Sequence, residues 1–516
     1  MSPESSRSSS WWSGLRSNDV LLASTIAVFA FIVRIIPELR GELPGGTDYD
    51  EGVYFASANA LARGIVPYRD FVSVHPPGVP LLLAPIAGPF TALFGPTAGF
   101  IAARIAAALA GAVTTYLIYR CALRLTDRRA AVVASVLYAT FAAAILAEGR
   151  VLLDPFMIVF GVAGSYLFLE HRRRRSMVLA GILLGLAVSM KLTGAVFLVG
   201  VLIVGLLVDR TRRRDSAIIS ASAAGTVLLI TLPFMVLAGP GTFLSQVVFA
   251  QVDRPSGAGL PGNISDLPGR FSEFVEWGPL GNRTTLPGIV LVVMALVTVA
   301  VVAWAVMQRT PRAWFWTIVL LVAGLGLLRA PTFYVQYAAL TGVPFAILLG
   351  GSISWLASSM PARIPTVAVA ILLIFLIGWE VKRSLLTQQI ALTRTQELLY
   401  SDGARMGCVF TDEPDAAFVS GIIPQDGLDR PLIDPFGELL SLGRRGATTA
   451  LDALHSPTSQ QRLRAALDAC PWVILGAPID QQFLWDAETK NHFLATRAEI
   501  IGGTPSAWYR RPGVGG

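Results

Sequence analysis

Charge is scarce in this 516-residue sequence: Asp, Glu, Lys and Arg make up 15% of it, against 53% hydrophobic residues and a mean hydropathy of +0.60. A soluble protein of this length needs far more polar surface, so the composition excludes that class and leaves a polytopic membrane protein. Cysteine is also scarce, and Cys121, Cys408 and Cys470 lack metal-ligand spacing, which argues against a thiolate metal site. No short apolar stretch with a small-residue cleavage site opens the chain. Its Ser-rich start, with Trp11 and Trp12, runs into a full-length apolar segment that is expected to stay as an anchor. No paired internal repeat of the kind that builds many transporters is visible. The net charge of +7 lies in short basic clusters between apolar runs, where the positive-inside rule accounts for it, so no nucleic-acid partner is expected.

Those apolar runs predict about eleven transmembrane helices, at 20–37, 98–121, 130–146, 155–169, 177–190, 192–208, 217–237, 286–307, 314–328, 332–349 and 366–381. Basic clusters around Arg124, Arg173, Arg212, Arg312 and Arg363 fall on alternate connections. They set the N-terminus inside and two long loops, 40–98 and 238–286, outside. The expected organisation is a disordered cytoplasmic tail (1–18), a transmembrane domain (19–382) and a small extracytoplasmic α/β domain (383–516). In the last, apolar stretches at 408–412 and 472–476 read as buried strands, with a helix over 459–469. Cys408 and Cys470 begin those two strands; outside the cytoplasm they are candidates for a disulfide, which sequence alone leaves open. The class is therefore mainly α. Within loop 40–98, residues 50–63 carry Val53, Ala56, Ala60 and Leu61 on one helical face and predict a short interfacial helix. Residues 78–94, interrupted by Pro80, Pro85, Gly88 and Pro89, read as a re-entrant or surface segment. Arg34, near the end of the first span, reads as a snorkelling side chain or as a contact to a lipid phosphate.

The first long loop gathers the chemistry. It contains Thr47-Asp48-Tyr49-Asp50-Glu51-Gly52-Val53-Tyr54, then Pro67-Tyr68-Arg69-Asp70-Phe71 and His75-Pro76-Pro77-Gly78. Thr47 and Asp50 are compatible with simple helix capping. Yet Asp48, Asp50, Glu51, Asp70 and His75 together beside apolar helices favour function, because a partly desolvated carboxylate is a stronger base. Asp154 lies between Leu152-Leu153 and Pro155-Phe156 at the mouth of a span, and Lys191 at the turn of a hairpin on the same side. Arg69, Arg104, Arg150 and Arg329 add cations suited to a lipid phosphate. Phe333, Tyr334 and Tyr337 form either an interfacial belt or a sugar platform. A divalent metal at Asp48, Asp50 or Asp154 is compatible with these carboxylates and not required by them.

In order along the chain, Asp50-Glu51, Pro67-Tyr68-Arg69-Asp70-Phe71, His75-Pro76-Pro77-Gly78, Leu153-Asp154-Pro155, Ser189-Met190-Lys191-Leu192-Thr193-Gly194 and the stretch from Arg329 to Tyr337 resemble the bacterial relatives of protein O-mannosyltransferases. That group includes the lipid A aminoarabinose transferases and shares the GT-C fold. The resemblance spans residues 20 to about 380. It implies transfer of a sugar, with inversion, from a polyprenyl-phosphate donor to a hydroxyl of a glycan, lipid or protein acceptor outside the bacterial cytoplasmic membrane. Asp50 then matches the general base, with Glu51 and Asp154 as further acidic catalytic positions. His75 matches a donor-phosphate position, where the aminoarabinose enzymes have lysine, and Arg69, Arg104, Lys191 and Arg329 are its candidate companions. Asp48, Tyr54, Tyr334 and Tyr337 are candidate sugar or acceptor contacts. Two other classes stay open: a transporter or flippase of polyprenyl-linked glycans, and a non-catalytic receptor or assembly subunit.

Overall fold

Helices dominate wherever apolar runs are long, because a chain in hydrocarbon must satisfy its backbone within each segment. The computed structural model describes residues 17–39, 49–252, 287–330, 334–359, 371, 374–378, 408–424, 428–476, 484–501 and 507–511. Asp48, Phe333, most of the last expected span and most of the second long loop lie outside them.

The first ten helices are α1 (Ser17–Leu39), α2 (Tyr49–Ala62), α3 (Gly78–Phe94), α4 (Pro96–Leu125), α5 (Arg128–Ala139), α6 (Ala142–Glu148), α7 (Asp154–Glu170), α8 (Arg174–Met190), α9 (Ala195–Ile203) and α10 (Arg213–Ala238). They are followed by α11 (Pro287–Gln308), α12 (Pro311–Arg329) and α13 (Ala338–Ser358). Among the described residues, five helices are long and apolar enough to cross a membrane, or six when α5 and α6, bent by 62°, count as one broken span. The expected segments at 155–169 and 177–190 fall on α7 and α8, helices of 17 residues whose ends are set by Asp154 and Lys191.

α4 fixes the polarity of the bundle. Its first turn carries Thr97, whose hydroxyl donates to the Phe418 carbonyl at 2.9 Å, so this end faces the C-terminal residues. Its last turn carries Arg124, and the same end collects Arg312 on Glu170 at 2.7 Å, Arg128 on Asp19 at 3.2 Å and Arg172 on Asp209 at 3.0 Å. The bundle therefore has an arginine-rich end and an end that bears the C-terminal unit.

α2 departs from the interfacial helix expected of it. Residues 51–60 are all buried, not one face alone. The reason is a second cover: besides α3, helix α14 (Pro414–Val419) packs against both α2 and α4, with Phe418 edge-on to Phe55 at 4.7 Å and stacked on Phe100 at 6.0 Å. Gly52 makes this approach possible, since a Cβ there would stand 2.2 Å from the Asp415 backbone nitrogen. α3 runs as one continuous helix of 17 residues through its prolines, and it falls among the shorter apolar helices, not the candidate membrane spans. Pro80 lies in the first turn, where its missing N–H is no loss, and Pro85 and Pro89, four residues apart, put both lost bonds on the exposed face.

The C-terminal unit has a four-stranded sheet of order β1-β2-β4-β3, from β1 (Val409–Thr411), β2 (Trp472–Leu475), β3 (Ala498–Ile501) and β4 (Ala507–Arg510). β1 and β2 are parallel, and the other pairs antiparallel. α15 (Pro435–Gly443), α16 (Pro457–Ala469) and α17 (Ala487–Thr496) supply the remaining core, with Leu439, Leu463, Trp485 and Phe493 buried together. Cys408 and Cys470 are joined by a disulfide, tying the entry to β1 to the end of α16. Asp434 caps α15, accepting from the Gly437 N–H at 2.8 Å.

Candidate active site

The first turn of α2 divides its acids. Glu51 points inward, where Arg104 on α4 donates through Nε to Oε2 at 3.0 Å and through Nη2 to Oε1. The Val151 N–H adds a third bond, to Oε2, at 3.1 Å. Both side chains are 3% exposed. The structure thus gives Glu51, expected to be catalytic, and Arg104, expected at the donor phosphate, to each other. Together they fix α2 to α4 and to the short connection that delivers Asp154. A second buried pair braces the start of that connection. Arg34 and Glu148 approach to 2.6 Å with both side chains 0% exposed, and Tyr138 donates to the same carboxylate at 2.7 Å. Arg34 does not snorkel, because Glu148, 114 residues on, meets it inside the bundle.

Asp154 opens α7, followed by Pro155, so its charge sits in the first turn where the helix dipole favours an anion. Lys191 ends α8, where the dipole favours a cation. The two meet: Lys191 Nζ donates to Asp154 Oδ1 at 3.0 Å and Oδ2 at 2.9 Å, and lies 3.9 Å from the centre of the Tyr337 ring. Tyr334, more exposed, stands edge-on to Tyr337 at 5.6 Å.

The His75 loop is brought to the same place by tight packing. A Cβ on Gly78 would fall 2.4 Å from the Ser189 carbonyl oxygen, so only glycine lets this loop lie against the end of α8. Tyr68, buried at φ 69°, donates its hydroxyl to the His75 carbonyl at 2.6 Å. That left-handed backbone is strained for a bulky residue and is held by its surroundings. Gln246 accepts from the Ser73 N–H at 3.0 Å and donates to the Tyr68 carbonyl at 3.3 Å, while Gln251 donates to the Val74 carbonyl at 2.8 Å. These two glutamines carry no sequence signal that marks them as loop clamps.

His75, Asp154, Lys191, Gln251 and Tyr337 line a cavity of about 250 Å³ together with apolar residues that include Val196, Val322, Ala323, Leu327 and Leu340. A cation and hydrogen-bonding groups thus share the cavity with a mainly apolar remaining lining, in which Thr193 is the one hydroxyl. Asp50 is half-buried one turn before Tyr54, whose ring meets His75 edge-on at 5.6 Å. The Tyr54 hydroxyl is pushed well above its ordinary ionisation range, first by burial, then by Asp50, Tyr337, Asp154 and Asp434.

Other sequence candidates lie apart from this cavity. Arg69 is exposed and bonded to Asp70 at 2.7 Å through both Nε and Nη2, which holds the Asp70 carboxyl below its usual range. Arg329 is exposed at the end of α12, just before Ala330 on the cavity wall. Among the described residues, no three His, Cys, Asp or Glu side chains are grouped as metal ligands. Asp434 and Tyr49 were not anticipated: the Tyr49 hydroxyl donates to Asp434 Oδ1 at 2.6 Å and accepts from the Phe436 N–H at 2.7 Å. Asp434-Pro435-x-Gly437 is a helix-start signature, but nothing in it foretells contact with α2.

Residues 69–249 match the family described as dolichyl-phosphate-mannose-protein mannosyltransferase. Among solved structures, ArnT from Cupriavidus metallidurans bound to undecaprenyl phosphate aligns over 95% of this chain and 97% of its own, with TM-score 0.61 and 14% identity. Its apo form gives TM-score 0.63 and 15% identity over 96% of this chain and 98% of its own. The Archaeoglobus fulgidus oligosaccharyltransferase tethered with an acceptor peptide aligns over 96% of this chain and 74% of its own, at TM-score 0.56 and 12% identity. No curated protein matches the sequence. At these identities the likeness is one of fold: the chain is a multi-pass membrane protein with the fold of the GT-C glycosyltransferases.

Proposed function

We propose that this GT-C-fold protein is a glycosyltransferase of a bacterial cytoplasmic membrane, moving a sugar from a polyprenyl phosphate to an acceptor hydroxyl on the outer side. The observation that carries the reading is the mixed cavity, lined by Lys191, His75 and Tyr337 together with Val196, Val322, Leu327 and Leu340. A phosphate with a long hydrocarbon tail has that same mixture. The arginine-rich end of the bundle supports an orientation with the cavity and the C-terminal unit outside, where the Cys408–Cys470 disulfide would also be stable.

In this account the lipid tail lies along the apolar wall and the phosphate is held by Lys191 and His75. Two of the three Lys191 N–H donors go to Asp154, so the lysine is aimed before the donor arrives. Asp50 takes the proton from the acceptor hydroxyl. The freed oxygen attacks the anomeric carbon from the side opposite the phosphate, a new carbon–oxygen bond forms with inversion, and the bond to phosphate oxygen breaks. Polyprenyl phosphate leaves with the electron pair, its charge stabilised by Lys191. Glu51 and Arg104 act by holding Asp50 and Asp154 in place. Purified protein given a panel of radiolabelled polyprenyl-phosphate sugars should turn over at least one of them, by transfer or slow hydrolysis. Binding without turnover across the panel would instead favour a flippase.

A further inference from the structure

Beside the donor cavity lies a second, narrower cleft that shares its wall. His75 and Pro76 line both. Its lining is mainly apolar, with Val53, Val72, Val74 and Leu153, and is interrupted by Tyr54 and Ser57 from α2, Ser73 from the His75 loop, and Asp434 from the C-terminal unit. The cleft holds about 10 Å³, room for one hydroxyl or water-sized group. Its acid is aimed. Asp434 Oδ1 takes the Tyr49 hydroxyl at 2.6 Å and the Gly437 N–H at 2.8 Å, so the carboxylate is fixed against the turn of α2 that carries Asp50. The docking is firm, with Gly52 against the Asp415 backbone and the Phe55, Phe100 and Phe418 rings in contact.

We infer that this cleft is the acceptor subsite, and that Asp434 positions a polyhydroxylated acceptor by binding one of its hydroxyls while Asp50 deprotonates a neighbouring one. The inference rests on the transferase reading. A carboxylate among hydroxyls is the chemistry that recognises vicinal sugar hydroxyls, because an ionised acid accepts about four hydrogen bonds and charge-assisted ones are the strong kind. The C-terminal unit thereby supplies a residue to the site, and acceptor choice follows from it.

The test uses the full chain in detergent, a polyprenyl-phosphate sugar that wild type turns over, and a panel of octyl glycosides as acceptors. Asp434→Asn should raise KM for the glycoside about 10-fold or more, with kcat within two-fold of wild type. Tyr49→Phe, which leaves the carboxylate but removes the bond that aims it, should shift KM in the same direction by a smaller factor. An unchanged KM in both variants, or a fall in kcat at constant KM, would overturn the assignment, as would donor hydrolysis by wild type with no transfer to any sugar hydroxyl. Absence of any donor turnover by wild type would remove the transferase reading itself and this inference with it.

Discussion

Three ion pairs join the helices around the candidate site, and they differ in what surrounds them. Glu51–Arg104 and Glu148–Arg34 are enclosed by protein on every side, at 3% exposure or less. Lys191–Asp154 has similar geometry but is open, at 12% and 5%, and borders a cavity with a mainly apolar lining. The closed pairs carry bonds from backbone or tyrosine as well, from Val151 and Tyr138, which is what a buried charge needs to persist. In the proposed function the open pair offers its cation to a phosphate. On that reading residue type does not separate frame from chemistry at this site; access does.

Breaking a closed pair should have the largest effect. Arg104→Met would strand Glu51 in the interior at a cost of about 3–5 kcal/mol. The predicted outcome is a lower unfolding midpoint and poor recovery in detergent, while the double change Arg104→Met with Glu51→Leu recovers much of the loss. Equal stability of wild type and the single variant would remove the distinction between frame and site. Opening the third pair should act differently. Lys191→Met is expected to weaken polyprenyl-phosphate binding roughly 10- to 100-fold, the scale of hydrogen bonds to a charged group, and to leave the folded protein recoverable. Lys191→Arg should lose less. Titration with a fluorescent polyprenyl phosphate measures both, and unaltered affinity in Lys191→Met would move the phosphate elsewhere.

Much of the site was legible because membrane sequences give charge few reasons to exist. Asp50, Glu51, Asp154, Lys191, His75 and Arg104 all stand out against apolar flanks, and the helix at 50–63 follows from periodicity. What the sequence withholds is pairing. Glu51 and Arg104 lie 53 residues apart and Arg34 and Glu148 lie 114 apart, so a buried clamp and a substrate ligand look identical until the chain is folded. Arg34 read as snorkelling for that reason. The full burial of α2 was invisible for another: its outer cover comes from residues near 418, whose docking depends on Gly52 having no side chain. Asp434 went unread because it sits at an ordinary helix start.

The central claim is that Asp50, beside but not inside the closed pairs, removes the acceptor proton. The direct measurement is sugar transfer by wild type and Asp50→Asn from the same polyprenyl-phosphate donor, with lipid binding measured in parallel. The account predicts equal donor binding and a loss of turnover of about 10²- to 10⁴-fold in the variant. Turnover by Asp50→Asn within a few-fold of wild type would contradict it and assign the proton transfer to another group.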